Sequence, residues 1–509
     1  MRQGLPGRAI PALAAGLTAL VLATGLAASA PALGSVTAGR PASGRPAAGP
    51  RLRLIVAQHR IDLPRFGQRV VVDPGIWVGA LGRALRIDAG RVSYTRPVTV
   101  SQVITTASGA TRTRRMPGWM NAGSGRLRDF GRVTVRNSRG RVVGSHTFNF
   151  CPDTNFPERT GPGSAAKSSF PSFCSGELFQ LGMVSGIARG WAVDPALQSF
   201  EGQSPFLFKL PLGTYHVTET IQPGYARFFG IPARDTSATV IGHVVKGTPG
   251  GFRPARRRAA VTGRALPSLP RDVPLLRHVP ADALPDLVPL PSWDITTSHV
   301  SKTRQDFLDF GATVWVGGHS PLDVQGFRTP GSTVMKAYQY YRHDGRIVGR
   351  TRAGTMFFDN QKGHHHWHFQ QFAKYVLVNA SKKVAVRSEK VGFCIGPTDA
   401  IDLTLPHADW NPPLVGLTSL CGQPTALWVQ EYLQIGWGDT YSQLKAGQAF
   451  NITHLPDGTY YIEIIANPEH LLHEVTRAND VSLRKVIITG PAGHRHVRVP
   501  AWHGIDPEG

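Results

Sequence analysis

Apolar and polar residues alternate with a period of two in several stretches of this chain. Val133-Thr134-Val135-Arg136, Val376-Leu377-Val378-Asn379 and Tyr461-Ile462-Glu463-Ile464-Ile465 each read as half-buried strands. Leu210-Pro211-Leu212-Gly213-Thr214-Tyr215 and Leu455-Pro456-Asp457-Gly458-Thr459-Tyr460 read as a turn followed by a strand. Turn residues separate short strands throughout, and no long stretch carries helical periodicity with caps. The pattern predicts an all-β protein.

The strand blocks occur twice in the same order. DPGIWVGALGRALRI from Asp73 matches DFGATVWVGGHSPLDV from Asp309, and YTRPVTV from Tyr94 matches FRTPGSTV from Phe327. FGRVTVRNSRGRVVG from Phe130 matches FAKYVLVNASKKVAV from Phe372, with a cysteine 21 and 22 residues further on. KLPLGTYHVTETIQPGY from Lys209 matches HLPDGTYYIEIIANPEH from His454. We therefore expect two tandem, duplicated β-sandwich-like domains, at 67–247 and 293–494. A Pro/Gly/Ala-rich linker (31–66), a Pro/Arg-rich linker (248–292) and a C-terminal tail (495–509) surround them.

The remaining composition sets the compartment. Arg2 and Arg8 precede an uncharged run over 10–28 that ends in small residues at Ala27–Ala30. Residues 1–30 are the expected signal peptide of a secreted or cell-wall-associated protein, with no membrane span in the mature chain. Four cysteines in an exported chain favour two disulfides, and Cys151–Cys174 with Cys394–Cys421 is the simplest of three pairings. Of 56 Lys+Arg and 33 Asp+Glu, 20 and 18 lie from residue 295 onward, which leaves 36 and 15 before it. The balance is +21 in the front part and +2 in the back. The front part could hold an anionic polymer such as that of a cell wall. No motif accompanies the charge, so nucleic acid is not an expected partner.

The candidate chemistry lies in the second copy alone. In a strand, His364, His366 and His368 share one face while His365 and Trp367 take the other. Three imidazoles at steps of about 6–7 Å can converge on one ion if the strand bends, and imidazole suits copper, zinc, iron or nickel. Counting back from Phe130 puts Ala122, Ser124 and Arg126 where the histidines stand, and Lys390, four residues before its cysteine, aligns with Thr147. Trp191 aligns with Tyr441 less securely.

The H-x-H-x-H run with Phe372 and Tyr375-Val376-Leu377 resembles the copper-binding segment of the lysyl oxidase family. Lys390-Val391-Gly392-Phe393-Cys394 resembles that family's K-x-x-F-C block, and Asp439-Thr440-Tyr441 its D-T-Y block. Asn451-Ile452-Thr453, Gly458-Thr459-Tyr460, Asn467-Pro468 and the stretch from Glu474 to Asn479 resemble its closing segments. The resemblance covers residues 293–490. It implies copper(II) on His364, His366 and His368, and a lysine tyrosylquinone built from Lys390 and Tyr441. It also implies a protein-lysine 6-oxidase-like activity, in which primary amines and O2 give aldehydes, ammonia and hydrogen peroxide. The alternative is a non-catalytic, wall-associated copper-binding protein. Two departures matter. Only three residues separate His368 from Phe372, one fewer than in animal members, so a bulge or register change is expected. Lys374 stands where those members carry a further histidine, which leaves Asp439 and His470 as candidate bases.

Overall fold

The computed structural model describes residues 51–508, apart from 107, 124, 154–156, 174–177, 197–205, 248–272, 361–364, 371, 391 and 413–420. The expected signal peptide lies outside the described residues, as do His364 and Cys174. The described chain is β throughout, and its one α-helix, Pro223–Phe229, has two turns. No helix among these residues is long and apolar enough to cross a membrane.

Each half builds three sheets, and the strand orders correspond. In the first half, Leu52–Val56, Ile76–Ala80, Trp191–Val193 and Glu158–Arg159 lie side by side in that order. In the second, Pro285–Pro289, Gln305–Gly318, Trp437–Tyr441 and Asp399–Ala400 do the same. A further sheet runs Val142–Phe150, Leu127–Asn137, Gly213–Ile221, Ser237–Lys246 in one half. Its counterpart runs Val384–Arg387, Ala373–Asn379, Gly458–Ala466, Val481–Thr489. The remaining sheet of the first half runs Gly182–Ile187, Leu85–Gly90, Thr99–Thr105, Thr111–Arg115. The second half repeats it as Trp428–Leu433, Leu322–Phe327, Val334–His343, Arg346–Asp359, and then adds His366–Phe369 at the edge.

The likeness reaches single bonds. The Tyr215 hydroxyl donates to the Pro211 carbonyl at 3.0 Å, and Tyr460 donates to Pro456 at 2.8 Å. Each tyrosine closes the turn that launches its strand. Asn137 and Asn379 accept two backbone N–H bonds each across equivalent hairpin turns. Phe130 stacks on Phe150 at 4.6 Å, and Phe372 meets Phe393 edge-on at 5.6 Å, in each case beside a cysteine. Such aromatic pairs bury large apolar area and fix their neighbours' rotamers.

The segments expected as linkers are shorter than predicted. Leu52–Val56 and Arg60–Phe66 are strands, with Leu52, Leu54 and Leu63 in the core. Pro285–Pro289 pairs with Gln305–Gly318 from an edge position, where a proline's missing N–H costs no ladder bond. At the C-terminus, His496–Arg498 extends a sheet, and buried Arg484 donates to Glu508 at 2.6 Å. The halves also share apolar contacts: Phe179 packs with Leu290, Trp315 and Ile401. Residues 48–509 form one compact unit.

The chain leaves one sheet after Phe369 and enters another at Ala373.

Candidate functional site

The added edge strand carries His366 and His368. It pairs antiparallel with Arg346–Asp359, setting Asp359 opposite His366 and Phe357 opposite His368. Strand alternation turns Trp367 to the opposite side, where it is fully buried and its indole N–H donates to the Gln423 carbonyl at 2.9 Å. His366 and His368 are buried on the other face, their ring centroids 4.7 Å apart. His365 is exposed and holds a φ of 45°, so the backbone turns sharply just before the strand begins. The Asp359 carboxylate lies 3.4 Å from His368 Nδ1. A carboxylate there fixes the imidazole tautomer and makes Nε2 the electron-pair donor, as in many metal sites.

The Lys390 ammonium nitrogen sits 4.4 Å from the centroid of the Tyr441 ring and 5.3 Å from that of Phe393. Backbone contacts hold both ends of this pair. The Lys390 N–H donates to Ser388 Oγ at 3.0 Å, and that hydroxyl donates to the Gly447 carbonyl. Gly447 has φ 82°, and a Cβ there would lie 3.0 Å from Lys390 Cα, so only glycine fits without strain. The Tyr441 hydroxyl accepts from the Cys394 N–H at 2.8 Å and donates to the Cys394 carbonyl at 3.3 Å.

The Cys394–Cys421 disulfide, expected from spacing, is formed, with a Cα–Cα distance of 5.7 Å. It ties the two parts together. Cys394 bonds Tyr441, while the Cys421 carbonyl accepts the Trp367 N–H at 2.8 Å. Phe369 and Phe393 also exchange backbone bonds of 2.8 and 2.9 Å, joining the histidine strand to the K-x-x-F-C segment. Cys151 is disulfide-bonded too, though the other half of its expected bridge, Cys174, lies outside the described residues.

Burial dominates the electrostatics. It lowers the Lys390 ammonium to about 8, against the pull of Asp439 and then Asp359. Burial raises Asp439 well above the carboxylate range, with a backbone N–H from Gly396 and the charge of Lys390 opposing it. Burial also raises the Tyr441 phenol, and the Asp439 carboxylate raises it further. Asp439 is thus the carboxyl group that feels both members of the pair, and its Oδ2 is buried without a hydrogen-bond partner among the described residues.

Two acids escaped the sequence reading. Asp359 ends an ordinary strand, and only the folded side chains, 3.4 Å apart, reveal it as a neighbour of His368. Glu431 is fully buried within Trp428–Leu433, accepts the Ile395 N–H at 3.1 Å, and adds to the field at Tyr441. A glutamate between Val429 and Leu433 was its only trace in the sequence. His470, the other candidate base, lies elsewhere. It is exposed, acts on Asp480, and lines a cavity of about 510 Å³ with Arg277, His278, His473, Glu474 and Arg477.

The first half lacks these groups. Gly118–Met120 is a short 3-10 turn there, the Ala122 N–H donates to the Arg126 carbonyl at 2.9 Å, and no described strand replaces the histidine strand. Thr147 lies in a strand beside Arg132. The alignment of Trp191 with Tyr441 needs correction. Val193 faces Val78, whereas Gly438 faces Trp315. With Trp77-Val78 matched to Trp315-Val316, the position equivalent to Tyr441 is 197, outside the described residues.

The donor set fits a late first-row metal, since two buried imidazoles share a face and one is oriented by a carboxylate. No group of three or more metal-ligating side chains is formed among the described residues, which do not include His364. Neither a family model nor a curated protein matches the chain.

Proposed function

We propose that this protein is an exported copper-dependent amine oxidase of lysyl oxidase type, with His364, His366 and His368 holding copper(II) and Lys390 and Tyr441 forming lysine tyrosylquinone. The observation that carries the reading is the 4.4 Å approach of the Lys390 nitrogen to the Tyr441 ring. A lysine lowered to about 8 has far more neutral amine near neutral pH than an ordinary lysine, as a nucleophile facing an aromatic ring requires. Asp439 would serve as proton acceptor, since it is buried beside both side chains. When formed, the quinone would take two electrons from a primary amine and pass them to O2. The overall balance is amine, O2 and water giving aldehyde, ammonia and hydrogen peroxide. The substrates would be lysine side chains or small primary amines. The cationic first half would favour retention on anionic wall polymer, weakening as salt rises.

The test is visible absorption and peroxide release after aerobic copper loading. The wild-type chain should colour, lose the colour with phenylhydrazine, and release peroxide with a primary amine. Tyr441→Phe and Lys390→Ala should keep copper but show neither property. Copper binding without colour in the wild-type chain would instead favour the wall-associated copper-binding protein.

A further inference from the structure

The first half carries no histidine cluster, yet it contacts the strand next to Tyr441. Its residues 180–182 lie along residues 400–403 of the second half. The N–H groups of Leu181 and Gly182 both donate to the Ile401 carbonyl, at 2.8 and 3.1 Å. Leu403 N–H returns a bond to the Gly182 carbonyl at 2.9 Å, and Gln180 Nε2 donates to the Ala400 carbonyl at 3.1 Å. Contact is close enough that a Cβ on Gly182 would lie 2.1 Å from Asp402 Oδ1.

Residues 399–403 in turn hold the tyrosine strand. Asp399 pairs with Gly438 and Ala400 with Trp437, while Ile401 and Asp402 N–H groups both donate to the Gly436 carbonyl. Thr398 Oγ1 accepts the Thr440 N–H at 2.7 Å, one residue from Tyr441. A second contact bypasses this segment. Phe173 of the first half packs on Trp437 at 5.3 Å, and Trp437 Nε1–H donates to the Asp409 carbonyl at 2.7 Å. Phe170 stacks on Trp410 at 5.9 Å, and its carbonyl accepts Asn411 Nδ2–H at 2.7 Å.

We infer that the first half is a positioning domain for the tyrosine strand. Through Gln180, Leu181, Gly182 and Phe173 it fixes the 399–403 segment against Trp437–Tyr441, and thereby the approach of Tyr441 to Lys390. The catalytic consequence rests on the cofactor reading above, whereas the mechanical link does not. These are positioning residues, acting on Tyr441 through residues 400–403 and Trp437. They explain why a copy without a metal site remains joined to one that has it. An edge segment held by hydrogen bonds on one side only opens readily, and one held on both sides does not.

The experiment uses the full chain with Gln180→Ala, Phe173→Ala, the double variant, and Phe173→Tyr as the conservative control. Amide exchange is followed across 398–403 and 436–441, with Val481–Thr489 as the distant reference. Copper content and quinone absorbance per copper are measured on the same samples. The double variant should exchange about tenfold faster at the seam and tyrosine strand, the scale of one lost hydrogen bond, with the reference unchanged. Its quinone per copper should fall several-fold at constant copper content, and Phe173→Tyr should retain the wild-type yield. An even rise in exchange over the whole second half, or none at the tyrosine strand, would overturn the inference. So would accelerated local exchange with full quinone yield. If the wild-type chain makes no quinone, the cofactor reading fails, and the exchange data still decide whether the first half holds the strand.

Discussion

The two halves of the chain share three sheets in the same strand order, the same tyrosine-closed turn and the same cysteine-flanking phenylalanine pair, yet their buried acids sit in opposite company. In the second half, buried Asp439 has the Lys390 charge to offset its desolvation. In the first half, buried Asp194 faces Asp73 and Glu158, and buried Glu219 faces Asp194 and Asp73. Both Glu219 oxygens lack a hydrogen-bond partner among the described residues. Asp194 and Glu219 feel the charge of other acids, whereas Asp439 feels that of a lysine. Fold and site have therefore separated. The apolar faces and turn bonds specify the sheets, while the chemistry depends on one added strand and a few polar side chains.

The largest expected effect is on metal. His366→Ala should abolish copper binding, whereas His365→Ala should leave it intact, because the two residues differ in burial and face. Equal copper loss from both, measured by elemental analysis after dialysis, would break the contrast between the added strand and the rest of the sheet.

The next effect concerns what each half needs in order to fold. Arg484 is buried and its charge is met by Glu508, near the very end of the chain. Glu508→Ala leaves that charge uncompensated and should cost about 3–5 kcal/mol in denaturant unfolding. A chain cut at 494 would suffer the same loss, and would also lack the strand His496–Arg498. Unchanged stability would mean the tail is dispensable. Breaking Cys394–Cys421 by Cys394→Ser should cost about 3 kcal/mol. It should also loosen Tyr441, whose hydroxyl depends on the Cys394 backbone.

The smallest effect is the pH dependence of the first half. Asp194 and Glu219 titrate higher in the folded chain than in the unfolded one. Their stabilising contribution is complete below the ordinary carboxylate values of 3.8 and 4.5, and is lost as pH rises through the raised values. Glu219→Gln should therefore raise the melting temperature by about 2–4 °C at pH 7. It should change little at pH 4. A lower melting temperature at both values would contradict the account of these acids.

What the sequence conveyed follows from what each feature depends on. Period-two alternation and the two Gly-Thr-Tyr turns are local, so the all-β class and the duplication were legible. The histidine face was legible for the same reason, because alternation separates His366 and His368 from Trp367. Strand limits were not, because Pro285 and Pro289 suggested a linker and only an edge position makes them admissible. Asp359 was hidden because its role depends on the register between two neighbouring strands, and Glu431 because its partners Ile395 and Tyr441 come from other segments. The seam at Gln180–Gly182 was hidden too, since carbonyl acceptors such as those of Ala400 and Ile401 leave no mark on side-chain identity.

The most direct test of the central claim is peptide mapping by mass spectrometry of protein expressed with copper and aerated. The peptides containing Lys390 and Tyr441 should be recovered as one covalently cross-linked species that carries the visible absorbance. The species should be absent from Tyr441→Phe and from protein kept anaerobic. Recovery of both as separate, unmodified peptides from a preparation that oxidises amines would contradict the account. The copper site would then work without the pair that sits 4.4 Å apart.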